Sequence, residues 1–452
     1  MFGFVNTIES INGTINGLVW GPYMLILLVG TGIYFTFRAN FLQVKEFGFT
    51  MKETLMKIFA KDESAEEGDI TPFQALATAL AATIGTGNIA GVATAIALGG
   101  PGAIFWMWVS AFFGMMTKYA EVVLAIKYRE KKEGSWVGGP MYYIEKGLGL
   151  KWLAIIFSIF GALAAFGIGN MVQSNSVAAA LAGYNIPPLA TGIVLAVAAG
   201  LVILGGLKRI ASVTEKIVPF MAVFYIIGAV IILIMNITQI PTAFGLIFKH
   251  AFTPASALGG FAGAVVMDAM TRGIARGVFS NEAGLGSAPI AHAAAKTDHP
   301  VRQGLWGIFE VFADTIVICT LTALTIISTG VWTSGETGAA LTTAAFNTGL
   351  PGPGGVIVAI GILFFAFSTI LSWAYYGEKC AEHLLGSGIN KVYRIVWLPL
   401  IVVGAVGSLD LIWDIADTLN GLMAIPNLVG LLGLSGVVLS LTKEFFTEKL
   451  GK

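Results

Sequence analysis

The sequence predicts an all-α polytopic membrane protein of eleven transmembrane helices. Ten of them are expected to form two inverted five-helix repeats with discontinuous first and sixth core helices. Three observations lead there. The chain is 56% hydrophobic and 12% charged over 452 residues, with a mean hydropathy of +0.82, more apolar surface than a soluble protein hides in its cores. Eleven stretches are long enough to cross the hydrocarbon core, which takes about 20 mostly apolar residues each. Two of the eleven are interrupted by glycine-rich polar sequence: one at Thr83-Ile84-Gly85-Thr86-Gly87-Asn88, the other through Asp268, Gly273, Gly277 and Asn281-Glu282-Ala283-Gly284. Every backbone polar group in hydrocarbon needs a partner, so a helix breaks there only where protein or a water-filled cavity covers the break.

In order, the stretches lie near 14–37 (A), 71–98 (B), 101–129 (C), 151–182 (D), 187–206 (E), 211–235 (F), 258–291 (G), 303–330 (H), 354–384 (I), 392–408 (J) and 411–441 (K). Before A, the segment MFGFVNTIESINGT has no basic start and no small-residue cleavage site, unlike a cleavable signal peptide. Between A and B, the 38–70 segment carries the run Lys61-Asp62-Glu63-Ser64-Ala65-Glu66-Glu67 and is expected to be a solvated, partly helical connector. The 130–150 segment places Trp136, Met141, Tyr142 and Tyr143 among Lys and Glu, which suits a short helix lying in the interface. Between H and I, Ala339 to Phe346 makes one or two helical turns, either folded inward as a cap or lying on the surface. Cys319 and Cys380 sit inside H and I, far from disulfide or metal spacing, and are expected to be packing residues.

Assigning alternate loops to one side, beginning with 38–70, puts 25 of the 26 Lys and Arg residues on one face and leaves only Lys249 on the other. Because cytoplasmic loops carry the Lys/Arg excess, the N-terminus is expected outside and the C-terminus in the cytoplasm. Net charge is zero, so nothing points to a nucleic-acid partner; the lipid bilayer is the partner implied. B is broken, four stretches follow, and G is broken at similar depth, with 185 residues between Thr83 and Asp268. Five is odd, so the second set enters the membrane from the opposite side. The expected units are 1–70 (extra helix and connector), 71–235 (first repeat) and 236–452 (second repeat).

The breaks carry the chemistry. Two glycines around Thr86 weaken the helix by roughly 1 kcal/mol each and free N–H groups to face a ligand, and the following half-helix presents its positive end to a carboxylate. Small residues also support close helix packing, but the surrounding Thr83, Thr86 and Asn88 favour a ligand. Asp268 lies about ten residues into G, roughly 15 Å deep. It meets a substrate ammonium or an ion, or it is neutralised by Arg272 one turn later. On I, Ser368 and Thr369 offer adjacent hydroxyls for an alkali cation, or bond back to the carbonyl one turn earlier on their own helix. On D, Asn170 and Gln173 share a face and could bond a small polar ligand or a neighbouring helix. Glu310 and Asp314 on H are expected to pair with Arg272, Arg276 or Lys118 as a cytoplasmic-side gate or brace, the alternative being that they carry protons.

Three long segments, ATIGTGNIAGVATAIALGGPGAIFWMW (82–108), GGPMYYIEKGLG (138–149) and RGVFSNEAGLGSAPIAHAAA (276–295), resemble the alanine or glycine:cation symporter family of sodium-coupled carriers, with leucine-transporter architecture. The resemblance runs from about residue 70 to the end. It implies a secondary active symporter that couples inward sodium flow to uptake of alanine, glycine or both by alternating access. It also implies roles. The amides of Thr86 and Gly87 hold the substrate carboxylate, and Asp268, Gly273 and Gly277 lie near its ammonium while Phe166 and Asn170 close the pocket. Carbonyls of Ala81, Ile84 and Phe365 and the hydroxyls of Ser368 and Thr369 hold sodium as coupling ion, and Asn88 with Thr83 matches a second ion position of some relatives of this architecture.

Two other classes fit less well. Gly433-Leu434-Ser435-Gly436 matches the serine motif of intramembrane proteases, but those need a later histidine and all four histidines precede Ser435. There is also no HExxH. Paired broken helices form an occluding site rather than the open pore of a channel. No enzyme activity and no cofactor beyond sodium are expected.

Overall fold

The computed structural model describes residues 2–58, 67–253, 262–407, 410–449 and 451. The described residues are helical apart from one two-stranded hairpin, Glu130–Lys132 paired antiparallel with Ser135–Val137. Of the charge run in the 38–70 connector, all but Glu67 lies outside the described residues; before it come the short helices Leu42–Lys45 and Phe47–Glu53.

Eight helices are long and apolar enough to cross a bilayer among the described residues, the longest being Gly206–Met235, Lys151–Ala182 and Gly354–Leu385 together with the jointed Thr7–Arg38. Stretches B, E and G are absent from that count for physical reasons. B is split into Pro72–Thr83 and Ala90–Gly99, E forms the 16-residue Pro188–Ile203, and G, as Ala262–Asn281, carries Asp268, Arg272 and Arg276. The perimeter is apolar, with Phe220, Val223, Ile227 and Ile234 exposed along one face of Gly206–Met235. Such a face is tolerable only against lipid or another chain.

The first broken helix starts on a capping box. Thr71 Oγ1 accepts from the Gln74 amide at 3.1 Å, Gln74 Oε1 accepts from the Thr71 amide at 3.1 Å, and Pro72 occupies the first turn. The helix stops where Ile84 and Gly85 turn extended (ψ 81° and −156°), passes through a single 3₁₀ turn at Thr86–Asn88, and resumes at Ala90. The second helix stays wound to Asn281. It then reverses through Glu282, Gly284 and Gly286, all at positive φ, before Pro289–His292.

Backbone bonds tie the two broken helices together. The amides of Asp69 and Ile70 reach the Ala294 carbonyl, and the Lys296 amide reaches Ile70. Arg129 adds to this tie by donating to the carbonyls of Ala293 and Ala295.

Two loop expectations change. The 130–150 segment forms the hairpin and then Pro140–Leu148, whose first turns are buried, Pro140 to Ile144 included, rather than lying on an interface. Its tyrosines turn inward: Tyr143 donates to Asn427 on Asp410–Gly433, and the Tyr142 ring meets that of His383 with centroids 5.4 Å apart. The 331–353 segment folds inward: Gly338–Gly349 packs on the second half of the first broken helix, and Thr342 donates to the Ile89 carbonyl at 2.9 Å. That carbonyl also accepts from the Ala93 amide at 3.5 Å.

Candidate functional site

At the first break the Gly85 amide donates to the Thr83 carbonyl at 2.9 Å and to Asn88 Oδ1 at 2.9 Å. Asn88 in turn donates through Nδ2 to Asp314 Oδ1 at 2.7 Å. Asn88 therefore fixes the shape of the turn from inside. The amides of Thr86 and Gly87 find no acceptor among the described residues. Both residues are buried, so two unpaired donors face the interior, and unpaired buried backbone donors are rare and costly.

Beside them lies a set of oxygens. Thr369 Oγ1 is 3.0 Å from the Ala81 carbonyl, 3.3 Å from that of Ala82 and 2.9 Å from that of Phe365. Ser368 Oγ is 3.3 Å from the Ala81 carbonyl and 2.9 Å from that of Phe365. Five neutral oxygens from two helices converge, a donor set suited to a hard monovalent cation. Four of the five expected contributors, Ala81, Phe365, Ser368 and Thr369, are brought together. Ile84 is buried at the turn, but the carbonyl that reaches Thr369 is that of Ala82.

The approach depends on Gly85, because a Cβ there would lie 2.8 Å from Thr369 Oγ1 and 3.6 Å from Gln173 Oε1. Gln173 thus faces the break. Its amide nitrogen donates to the Ile168 carbonyl at 2.9 Å, and its buried Oε1 has no partner among the described residues. Asn170 points elsewhere with its nitrogen, to the Trp397 carbonyl at 2.8 Å, and Phe166 stacks on Tyr393 with ring centroids 4.7 Å apart. Both thus pack against Ile389–Val406 instead of closing the break as expected. They sit in a π-helical segment, Ala165–Met171, and a second one spans Phe312–Cys319. Such wider turns recur at functional sites.

The expected position of the second break needs correcting. Asp268, Gly273 and Gly277 all lie on wound helix, before the unwinding that starts at Glu282. Gly273 and Gly277 pack on Gly102–Lys127: a Cβ on Gly273 would be 2.2 Å from the Ala103 carbonyl, and one on Gly277 would be 3.3 Å from Met107. Asp268 pairs with Arg272 at 3.3 Å, each side chain about half exposed (50% and 46%). The two line a cavity of about 580 Å³ with Asn16, Arg276, Asp414 and Asp417. Sequence spacing gave Asp268 its depth by counting from Gly259, and the helix neighbouring it leaves that level open. Because exposed pairs contribute about 0–1 kcal/mol, Asp268→Asn is expected to leave substrate affinity within about twofold of the parent. A tenfold loss measured by calorimetry would restore Asp268 to the site.

The buried carboxylate at the first break is Asp314. Its oxygens accept from Asn88, from Ser280 at 3.0 and 3.2 Å and from Thr315 at 2.7 Å, and it forms no ion pair among the described residues. The expected brace therefore holds for only one of the two acids: Glu310 lies 3.3 Å from Lys118, whereas Asp314 serves the break. Asp314 was detectable only as an acid at mid-helix depth. Nothing in sequence placed it across from Asn88, 226 positions away.

At the second break the amides from Ala283 to Gly286 are already used. Glu121 Oε1 accepts from Gly284 at 3.0 Å, from Gly286 at 3.1 Å and from Asn427 Nδ2 at 2.6 Å. Glu282 accepts from Trp373 Nε1 at 2.9 Å and from Ser287. Phe279, one turn before, contacts the first break, since a Cβ on Gly87 would be 3.3 Å from its ring. Unlike the amides of Gly284 and Gly286, those of Thr86 and Gly87 remain open. Ser435, of the protease-like motif, has its hydroxyl 3.1 Å from that of Tyr34.

Residues 5–452 match the sodium:alanine symporter family. The chain is 57% identical over 446 residues to the sodium/alanine symporter AgcS of Methanococcus maripaludis, covering 96% of this chain and 97% of that one. It is 43% identical to the probable sodium/glutamine symporter GlnT of Bacillus subtilis, over 98% and 91% of the two chains. Among solved structures, that of MhsT in complex with L-phenylalanine superposes with a TM-score of 0.55 at 12% identity, covering 84% of this chain and 98% of that one, a likeness of fold. The chain therefore belongs to the sodium:alanine symporter family of multi-pass membrane transporters.

Proposed function

We propose that this protein couples inward sodium flow to the uptake of alanine, glycine or both by alternating access. The observation that carries the reading is the pair of open amides at Thr86 and Gly87 beside the Ser368–Thr369 oxygen set. The amides receive the substrate carboxylate. Sodium takes the carbonyls of Ala81 and Phe365 and the two hydroxyls, with the Ile84 or Ala82 carbonyl completing its shell. A zwitterion is neutral, so sodium brings one uncompensated positive charge into the bilayer, and buried Asp314 balances it. Asn88 and Gly85 shape the turn, while Phe279 and Gln173 crowd the remaining space and favour a small side chain.

Coupling follows from linkage. Sodium draws the first broken helix against Gly354–Leu385, which pre-forms the amide receptor, so each ligand tightens the other. Eleven crossings, ten of them in two sets of five that each begin with a broken helix and run in opposite sense, supply the two halves that rock about the site. The Lys/Arg distribution supports an external N-terminus and a cytoplasmic C-terminus. Gly338–Gly349 then caps the external side.

Calorimetric titration of the purified protein with alanine, glycine and serine tests this reading. Alanine or glycine is expected to bind about 5–150-fold more tightly with saturating sodium than with potassium, and serine more weakly than either. Equal affinity in the two salts would remove sodium coupling.

A further inference from the structure

A basic cavity at one end of the bundle shares no residue with either break, and the transport mechanism above does not use it. It holds about 340 Å³, within the roughly 300–1,000 Å³ of small-ligand sites. Its walls come from the end of Pro22–Arg38, from the turn into Leu42–Lys45 and from Ser435–Glu444. Arg38, Lys45 and Lys443 line it against a single carboxylate, Glu46. Among the described residues these three cations form no ion pair, and the one hydrogen bond of the Arg38 guanidinium is to the Tyr34 hydroxyl at 3.4 Å. Neighbouring cations behave differently: Arg302 meets Glu53 and Asp298, and Lys57 meets Glu53 at 2.8 Å. A surplus of positive charge thus converges on one concave site, which favours an anion.

The same cavity has apolar walls, Leu42, Leu439 and Phe446. Beside it an apolar strip runs along one face of Pro22–Arg38. Ile26, Gly30, Ile33 and Phe37 follow one another at helical spacings of four, three and four residues, so they share that face. Ile26 is 69% and Phe37 62% exposed, and a Cβ on Gly30 would meet nothing within 4 Å. The strip is about 16 Å long at 1.5 Å per residue and ends beside Arg38. An inorganic anion uses the cations alone, whereas a phospholipid uses both features.

We propose that this cavity binds the headgroup of an anionic phospholipid, with its phosphate on Arg38, Lys45 and Lys443 and one acyl chain along Ile26, Gly30, Ile33 and Phe37. The planar guanidinium of Arg38 offers paired donors to two phosphate oxygens, and the two ammonium groups act as point charges. The lipid bridges Pro22–Arg38 and Ser435–Glu444, which already touch through the hydroxyls of Tyr34 and Ser435 at 3.1 Å. The proposed orientation of the chain puts this end of the bundle in the cytoplasmic leaflet, where anionic lipids lie and where basic pockets between helices take their headgroups.

The test uses the full chain in a neutral detergent, with bound lipid counted by native mass spectrometry as phosphatidylglycerol or phosphatidylcholine of matched acyl chains is titrated in. One phosphatidylglycerol is expected to bind about tenfold or more tightly than phosphatidylcholine. Each cation at a leaflet surface carries about a fivefold share of such affinity, so Arg38→Gln, Lys45→Gln and Lys443→Gln together are expected to weaken it by about 100-fold. Lys52→Gln, Lys131→Gln and Lys391→Gln together remove the same charge outside the cavity and are expected to change it less than about threefold. If the first triple variant does not fold, Lys443→Gln alone, at an exposed side chain, is expected to cost about fivefold.

Equal binding of the two lipids overturns the proposal. Equal losses in the two triple variants overturn it as well, since the attraction then belongs to the whole charged face. Inorganic phosphate that displaces phosphatidylglycerol at equal concentration assigns the cavity to a free anion instead. Lipid binding that appears only with Asp62→Asn, Glu63→Gln and Glu66→Gln assigns it to the chain's own acidic run.

Discussion

Replacing Gly85 with alanine is expected to abolish the proposed sodium-driven uptake of alanine, lowering it by about 100-fold or more in proteoliposomes. The backbone is not the obstacle, because φ −125° and ψ −156° suit any residue. The obstacle is contact, since the added methyl would lie 2.8 Å from Thr369 Oγ1. Thr369 is a short, stiff side chain on a buried helix with no room to retreat. Either the hydroxyl turns away from Ala81 or the two helices separate by several tenths of an ångström. Both outcomes open the proposed cation shell, and a loss of about 2.7 kcal/mol suffices for the stated factor. Gly91→Ala is the matched control: a Cβ there meets nothing within 4 Å, so uptake near the parent level is expected. Robust sodium-dependent uptake by Gly85→Ala would show that Thr369 and the first break need not touch during transport.

Thr369→Ala has the second large expected effect, and it falls on sodium. The hydroxyl sits within 3.3 Å of three carbonyls, and a bond to a charged group contributes about 1.5–3 kcal/mol. Half-saturation for sodium is expected to rise by about 10–100-fold, while maximal uptake at saturating sodium falls much less. Thr369→Ser, which keeps the oxygen, is expected to stay within about threefold of the parent. The sodium-activation curve at fixed alanine separates the two parameters. An activation curve identical to the parent in Thr369→Ala would remove this cluster as the coupling-ion site.

Much of this arrangement is legible in linear sequence, and where it fails the failure has a cause. The break at Gly85–Asn88 is legible because two glycines, polar neighbours and the Thr71 cap act within one or two turns. The second break was displaced because Gly273 and Gly277 carry the same local signal as an unwinding point. Only their neighbours, the Ala103 carbonyl and Met107, make them packing glycines. Asp268 and Asp314 were likewise indistinguishable by depth. One turned out to line an open cavity beside Arg272, the other to be enclosed by Asn88, Ser280 and Thr315. The anchors of the second break, Glu121 and Trp373, gave no signal, since each acts on a residue more than 90 positions distant.

Sequence alone determined that the chain lives in a membrane, where the first of its two broken helices breaks, and which hydroxyls could meet that break. These follow from hydropathy, glycine content and helical periodicity, all of which act over a few residues. Tertiary structure decided which carboxylate is enclosed, which amides stay open and which are already taken by Glu121. Those outcomes depend on which side chains helices far apart in the chain bring within 3 Å of one another, and helix packing, not local propensity, sets that distance.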